Sequence, residues 1–293
     1  MEVSIIIVNY NTVSLLCDAI DSVLEKTSDI FYEIIVVDNN SSDNSENIIP
    51  EKYRSKVAYL KLPENIGFGR ANNEGMKIAK GDKLFLLNPD TVLRNNAVKI
   101  LSDYMNEHPK VGVCGGNLFD AEGNPAHSFM PLFPSILWEI DVLFYNIPSK
   151  LIWGKYYGFN KTGKARKVAY ITGADMMVRK EVVEKTDGFD ADFFMYGEET
   201  EWTYRIKKLG YQVISIPQAE ITHLEGKSIS TDFARAQMIR SGINLFYRKT
   251  RSTFYRFVAN TIYRITATSR ILLWTIANNK EKRQFWITLK NIK

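Results

Sequence analysis

Cysteine is nearly missing: Cys17 and Cys114 are the only two in 293 residues. Two thiols in a chain this long argue against a disulfide framework and fit a reducing compartment. Also lacking is any run of about 18 or more apolar residues, so no spanning helix is expected. The first apolar stretch, VSIIIVNY, is too short for a signal-peptide core and has no basic flank. The turn after it reads VNYNTVSLL, without a glycine. That excludes the G-x-G-x-x-G dinucleotide fingerprint, and no P-loop occurs elsewhere. Internal repeats and low-complexity segments are absent too.

What is present is a normal globular balance, 45% hydrophobic and 24% charged, with enough chain to bury a large core. Acids are scarce at one end only. From Arg240 to Lys293 twelve Lys/Arg stand against Glu281, net +11, which leaves −6 for the remainder. A faintly acidic body with a strongly basic tail points to an anionic membrane surface or to nucleic acid. The tail contains no recognisable nucleic-acid module, so no nucleic-acid partner is expected.

Periodicity predicts the elements. Val3–Val8, EIIVVD (33–38), VAYLKL (57–62) and KLFLLN (83–88) read as strands, the first and second buried on both faces. Between and after them, Thr12–Glu25, a segment through Ile49 capped by Ser42 or Asp43, Asn72–Ala79 and Ala97–Glu107 read as helices. This alternation implies an α/β fold with a mostly parallel sheet covered on both faces. VGVCGGNLFD (111–120) reads as strand and turn. The stretch 125–160, rich in aromatics and proline, reads as an insertion with a short helix. Residues 168–186 read as a strand running into a helix, and 187–216 as an aromatic loop, an acid-headed helix and a strand.

In open parallel sheets, ligands bind beyond the carboxyl ends of strands. Three polar signals fall there: Asn9–Tyr10–Asn11, Asp38–Asn39, and Asn88–Asp90 in LLNPDT. Singly, each is an ordinary cap or turn residue; together they point to a nucleotide pocket. With no glycine loop to cradle a diphosphate, a divalent cation on a strand-end carboxylate is the natural alternative, and hard oxygen ligands suit Mg²⁺ or Mn²⁺. Asp90 is the candidate ligand and Asn88 a neutral helper. GEETEW (197–202) places Glu198, Glu199 and Glu201 at a helix head. Acids there stabilise the helix dipole, and like charges so close also raise each other's pKa, which suits a general base. His223 is either a structural histidine or, paired with a distant Asp, part of a metal site.

The series VSIIIVNYN, VVDNNSSDNS, ENIGFGRANNEG, AKGDKLFLLNPDT, TGADMMVRKEV, DGFDADFFMYGEETEWTYRIKKLGY and HLEGKS resembles glycosyltransferase family 2. Within it, the sequence is most similar to the bacterial rhamnosyltransferase-like branch. The resemblance implies an A-type, Rossmann-like glycosyltransferase fold, a nucleoside-diphosphate sugar donor, a divalent metal and inversion at the anomeric carbon. It implies that Asp90 and His223 bind the metal. Val8, Tyr10, Asp38, Asn40, Gly67, Asn73 and Asn88 are implied to line the donor. Glu199 is implied as the base, with Glu198 as the fallback. Gly173, Ala174, Asp175 and Trp202 are implied to lie near donor sugar and acceptor. Asn72 stands where many relatives carry Arg, which removes an expected phosphate contact. The implied donor is dTDP-rhamnose first and a UDP-hexose second; the implied acceptor is a glycan or a polyprenyl-diphosphate-linked sugar. A non-catalytic nucleotide-sugar scaffold is the second reading. A nucleotidyltransferase is the third, and it would want a glycine-rich basic loop that VNYNTVSLL does not supply.

In the tail, Phe254, Phe257, Val258, Ile262, Ile265, Leu272 and Ile276 share one helical face, with Arg256, Arg264 and Arg270 opposite. Such a helix either lies on an anionic bilayer or packs on the catalytic domain. The expected organisation is a catalytic domain over 1–230, with a nucleotide-binding half to about 118 and an acceptor half over 119–230. A helical basic extension then covers 231–293. The expected place is cytoplasmic, peripheral on the inner face of the plasma membrane.

Overall fold

The computed structural model describes residues 1–154, 157–224 and 232–292; Tyr156, residues 225–228 of HLEGKS and the expected 230/231 boundary lie outside the described residues. Two compact units form. The first holds Met1–Pro131, Gly158–Phe194 and Glu198–Ser228. Its elements open with β1 (Val3–Asn9), α1 (Val13–Lys26), β2 (Tyr32–Asp38), α2 (Ser45–Tyr53), β3 (Val57–Lys61), α3 (Phe68–Ile78) and β4 (Lys83–Leu87). Then come β5 (Thr91–Leu93), α4 (Ala97–Glu107), β6 (Val111–Phe119) and β7 (Phe129–Met130). In the second unit, α5 (Ile136–Leu143) and α6 (Ile147–Trp153) follow. The chain returns to the first unit for β8 (Arg166–Lys167), β9 (Tyr170–Ile171), β10 (Asp175–Arg179), α7 (Lys180–Thr186), α8 (Glu198–Lys208) and β11 (Gln212–His223). It ends in α9 (Asp232–Thr250), α10 (Thr253–Ile276) and α11 (Lys280–Lys290).

The main sheet of the first unit has nine strands in the order β3-β2-β1-β4-β10-β6-β11-β5, with β8 beside β11. Alternation along β1 explains its two layers. Val3, Ile5 and Ile7 meet Leu16 and Ile20 of α1 and Leu101 of α4, while Ile6 and Val8 meet Ala71 and Met76 of α3. A strand so buried needs apolar residues at every position, which is why VSIIIV reads as an unbroken run. The sheet is parallel over its first half and between β6 and β11, with antiparallel strands added in the second half. β3, β2, β1 and β4 pair in parallel, but β10 lies antiparallel between β4 and β6, and β5 and β8 are antiparallel to β11. The first half of the sheet is therefore the nucleotide-fold part, and the second half is mixed.

The second unit gathers Leu132–Tyr157, Met195–Gly197 and Ile229–Lys293. The insertion thus groups with the C-terminal helices rather than with the sheet. A buried clasp explains the grouping. Arg240 of α9 donates from Nη1 to Glu139 Oε1 of α5 at 2.7 Å and from Nη2 to Asn260 Oδ1 of α10 at 3.1 Å. Its guanidinium lies 3.4 Å from the Tyr263 ring centroid, and Tyr247 Oη also donates to Glu139 Oε1. Burial pushes the Glu139 carboxyl up, while Arg240 pulls it back down. Arg270 is corrected by the same unit. Expected on an outward basic face, it is buried and donates to the Val142 and Leu143 carbonyls while stacking on Tyr145. A cation at the end of α5 meets carbonyls that have no helical partner, so the helix terminus draws the arginine inward.

Candidate active site

The site is built at the carboxyl ends of β1, β2 and β4. Asn9 and Asp38 are register partners in β1 and β2, and both are fully buried. Asn9 Nδ2 donates to Asp38 Oδ1 at 3.2 Å and to Ser41 Oγ at 3.0 Å, while its Oδ1 accepts from Thr12. The Ser41 amide and Ser45 Oγ also donate to Asp38. Asp38, expected against base and ribose, fastens the turn after β2 with its carboxylate. A buried carboxylate needs such donors, and the nearest are in its own turn. Tyr10 remains 44% exposed beside this turn, and Asn40 takes a left-handed φ of +64° that asparagine tolerates. Val8 packs into the core. Asp43 serves two helices: Oδ2 accepts from the first amide of α1 and Oδ1 from the first amide of α2.

LLNPDT delivers a second polar group. The Asn88 amide donates to the Ala174 carbonyl at 3.0 Å, tying the strand end to the TGAD segment. Asn88 Oδ1 is buried and has no hydrogen-bond partner among the described residues. β5 then pairs with the end of β11, placing Thr91 opposite His223. The Leu224 amide donates to the Asp90 carbonyl, and His223 Nε2 stands 3.3 Å from Asp90 Oδ1. Both side chains are nearly covered, at 14% and 8% exposure. Two residues 133 positions apart in sequence therefore converge at one strand end. One carboxylate and one imidazole suit a divalent cation of the Mn²⁺ kind, with substrate oxygens or water completing its shell. Among the described residues no group of three or more His, Cys, Asp or Glu gathers.

The third part is the first turn of α3. Gly67 has φ +88°, and its amide accepts no substitute lightly. A β-carbon there would overlap the Phe194 carbonyl oxygen and come within 2.9 Å of Phe194 Cδ2. The Phe68 amide donates to that same carbonyl at 3.0 Å. Phe68 also borders Gly173, and Gly69 borders the Glu198 side chain. This turn thus joins Gly67 to both Gly173 and the head of α8. The sequence reading began the helix at Asn72 and missed the turn; the signal was the pair of glycines in IGFGRA. It also missed Arg70, whose Nε is buried without a hydrogen-bond partner among the described residues.

At the head of α8, Glu198 is buried and Glu199 is half-buried. Burial, then the charge of Glu199, pushes the Glu198 carboxyl well above the usual range. Glu198 Oε2 has no partner among the described residues, whereas Glu199 Oε1 accepts from Thr200 Oγ1 at 3.4 Å. Glu201 is structural: its carboxylate holds Arg205 Nε at 2.9 Å, and Arg205 donates to the Thr186 and Gly188 carbonyls. Asp175 is fully buried; Oδ2 accepts from the Gly116 amide at 2.6 Å, and burial raises its pKa strongly. Two expected sugar or donor contacts are corrected. Trp202 is wholly buried, its indole N–H bonded to Thr186 Oγ1 and its ring against Phe189. Asn73 gives both ends of its amide to the Phe189 backbone. Each is turned inward because its helix face meets the core, where an indole or amide must find protein partners. Asn72 is buried as well and donates to the Phe68 carbonyl.

Strand-end polar groups on this sheet and an acid-headed helix beside them define the A-type glycosyltransferase fold. The model of glycosyl transferase family 2 matches residues 4–187, and the chain belongs to that family. The expected family and fold are borne out. The chain is similar to the N-acetylglucosaminyl-diphospho-decaprenol L-rhamnosyltransferase of Mycobacterium tuberculosis (strain ATCC 25618 / H37Rv). The two are 24% identical over 213 residues, covering 68% of each. Its fold is similar to that of GalNAc-T7, solved with UDP, GalNAc and Mn²⁺ (TM-score 0.63, 16% identity). That match covers 85% of this chain and 51% of the other, so the chain spans about half of GalNAc-T7's length. It is also similar to the mannosyltransferase PcManGT from Pyrobaculum calidifontis in complex with GDP-Man and Mn²⁺. There the TM-score is 0.61 at 16% identity, over 98% of this chain and 79% of that one.

Proposed function

We propose that this chain transfers a sugar, with inversion, from a nucleoside-diphosphate donor to a glycan or polyprenyl-diphosphate-linked acceptor in cell-surface polysaccharide synthesis. The observation that carries the reading is the convergence of Asp90 and His223 at the end of β4. The rhamnosyltransferase name of the Mycobacterium relative supports dTDP-rhamnose as the donor and a lipid-linked acceptor. The UDP and GDP-Man complexes of the structural neighbours support a nucleoside-diphosphate leaving group and keep a UDP-hexose as the second donor.

In this reading Asp90 and His223 hold a divalent cation, Mn²⁺ or Mg²⁺. When bound, it stabilises the negative charge of the leaving nucleotide. Tyr10 lies against the base, and Asn40 and Gly67 shape the donor site through their turns. Asn88 Oδ1 accepts from a donor hydroxyl, which gives that buried oxygen its partner. Arg70 meets the diphosphate that Asn72 no longer reaches. Glu199 takes the proton from the acceptor hydroxyl as that oxygen attacks the anomeric carbon from the face opposite the nucleotide. General-base help of this kind is worth about 10²–10⁴-fold. The half-buried position of Glu199 supports it over Glu198, which is covered and whose carboxyl is pushed by burial well above the usual range. A lipid-linked acceptor places the enzyme peripherally on the inner face of the plasma membrane.

The test is nucleoside-diphosphate release from a panel of nucleotide sugars, with Mn²⁺ or Mg²⁺ and then with EDTA, in the presence of membrane-extracted acceptor. Metal-dependent release from one donor is the expected result. Binding without turnover would establish the scaffold reading instead, and no donor binding at all would refute both.

A further inference from the structure

We propose that α10 is the membrane-docking element of the second unit, lying along an anionic bilayer with its outward apolar stripe in the lipid. The helix is packed inside out. Its buried face is Ala259, Tyr263, Thr266, Ala267 and Arg270, small or polar, and it meets α5 and α11. Its outward face carries Phe254 (76% exposed), Phe257 (67%), Ile265 (52%), Leu272 (59%) and Ile276 (86%). At 100° per residue, Phe254, Ile265, Leu272 and Ile276 fall within one narrow sector, opposite the buried face. A stripe from Phe254 to Ile276 runs about 33 Å, at roughly 1.5 Å per residue. No described helix is long and apolar enough to cross a membrane, so the fitting geometry is in the plane of the interface.

Charge decides what covers the stripe. α10 contains three arginines and no acid, and α11 adds Lys280, Lys282, Arg283 and Lys290 against Glu281. A shallow groove runs along the stripe. Arg264, Lys290, Ile265, Leu272, Thr268 and Ser269 are among the residues that line it. A second copy of the chain would bring these same cations against each other, with only Glu281 of these two helices to answer them. A bilayer rich in phosphatidylglycerol answers both features: its phosphates meet Arg264 and Lys290, and its acyl chains meet the aromatic and aliphatic residues. The inference rests on the reading above that the acceptor is membrane-borne, but it is tested separately.

The experiment is co-sedimentation of the full chain with vesicles of phosphatidylcholine alone, or with phosphatidylglycerol added, at low and high salt. Binding to the anionic vesicles that weakens with salt is expected. Arg264→Gln with Lys290→Gln should lower the partition constant about five-fold per charge removed. Leu272→Ser with Ile276→Ser should lower it about ten-fold or more, since both residues lie outside the core. No binding to anionic vesicles at low salt overturns the proposal, as does binding that both variants retain. A dimer abolished by Leu272→Ser with Ile276→Ser, without vesicle binding, overturns it in favour of a second copy. Transfer to a short, water-soluble acceptor separates this from the catalytic reading. Vesicle binding lost with transfer intact condemns only the docking surface; transfer absent with vesicle binding intact condemns only the chemistry.

Discussion

Replacing Gly67 by alanine is the sharpest test of how the donor-side turn is held. Two costs add. Alanine at φ +88° and ψ +166° sits in a region essentially confined to glycine, at a cost of about 1–3 kcal/mol. The new methyl also collides with the Phe194 carbonyl, which must move away and weaken its bond from the Phe68 amide. Losing that bond costs about 0.5–1.5 kcal/mol. The total is about 1.5–4.5 kcal/mol, or roughly 3–18 °C in the melting temperature of a unit this size. Gly123 supplies the control. It has φ +82°, and nothing lies within 4 Å of its would-be β-carbon, so Gly123→Ala carries the backbone cost alone. Far-UV circular dichroism melts of both variants, with calorimetric titration of the nucleotide donor, make the comparison. Gly67→Ala should melt well below Gly123→Ala and bind donor more weakly. Equal melting of the two would mean the Phe194 contact does not constrain the turn. Unchanged donor affinity would remove Gly67 from the site.

The remaining predictions concern single groups. Asp90→Ala should abolish transfer at ordinary metal concentrations and eliminate calorimetric Mn²⁺ binding; near-normal turnover would take Asp90 out of the site. Glu199→Gln should leave donor affinity intact and slow transfer by about 10²–10⁴ in kcat; a collapse of donor affinity would make it structural or a ligand. Glu198 has a folded pKa above its unfolded value, so the stability it confers is complete below about pH 4.3 and is lost as pH rises through the folded value. Glu198→Gln should therefore melt above the wild type at pH 8, with the gap closing toward pH 4; the reverse order would show that Glu198 is held ionised. Arg240→Met should destabilise the second unit by about 3–5 kcal/mol, because it leaves the buried Glu139 without its cation. Adding Glu139→Gln should recover most of that loss in denaturant titrations, and no recovery would show that the pair itself is not the cause.

How much of this was legible in the sequence follows from where each residue's partners lie. β1 and β2 were plain because strands covered on both faces are apolar at every position. Asp90 was legible because three polar strand ends fall together; singly, an acid after a strand is an ordinary cap or turn residue. The end of β11 was hidden. The reading from sequence ends its strand at residue 216, before Pro217, yet Pro217 falls in the irregular stretch between Ser215 and Glu220, where the pairing shifts register and the strand runs on. His223 thus rides to Asp90 on a strand that local pattern could not show. The start of α3 was hidden for a related reason. Two glycines in four residues look like loop, and the contact that fixes them comes from Phe194.

Trp202 and α10 show the opposite failure, in which a local pattern was visible but its direction was not. A tryptophan among glutamates invites a sugar-stacking role. However, Ile206 lies four residues on, and that spacing sends both side chains into the same core cluster. In α10 the apolar stripe was readable, and the ordinary expectation is that such a stripe faces inward. What reverses it is the opposite face. Ala259 and Ala267 let α10 come close to its neighbours, and Arg270 closes the carbonyl end of α5. The second need depends on a helix more than a hundred residues away in sequence. Once that face is turned inward, the phenylalanines and the leucine have nowhere to go but out. The exposed stripe is therefore fixed by the packing behind it, and a helix free simply to bury its apolar side would not have this sequence.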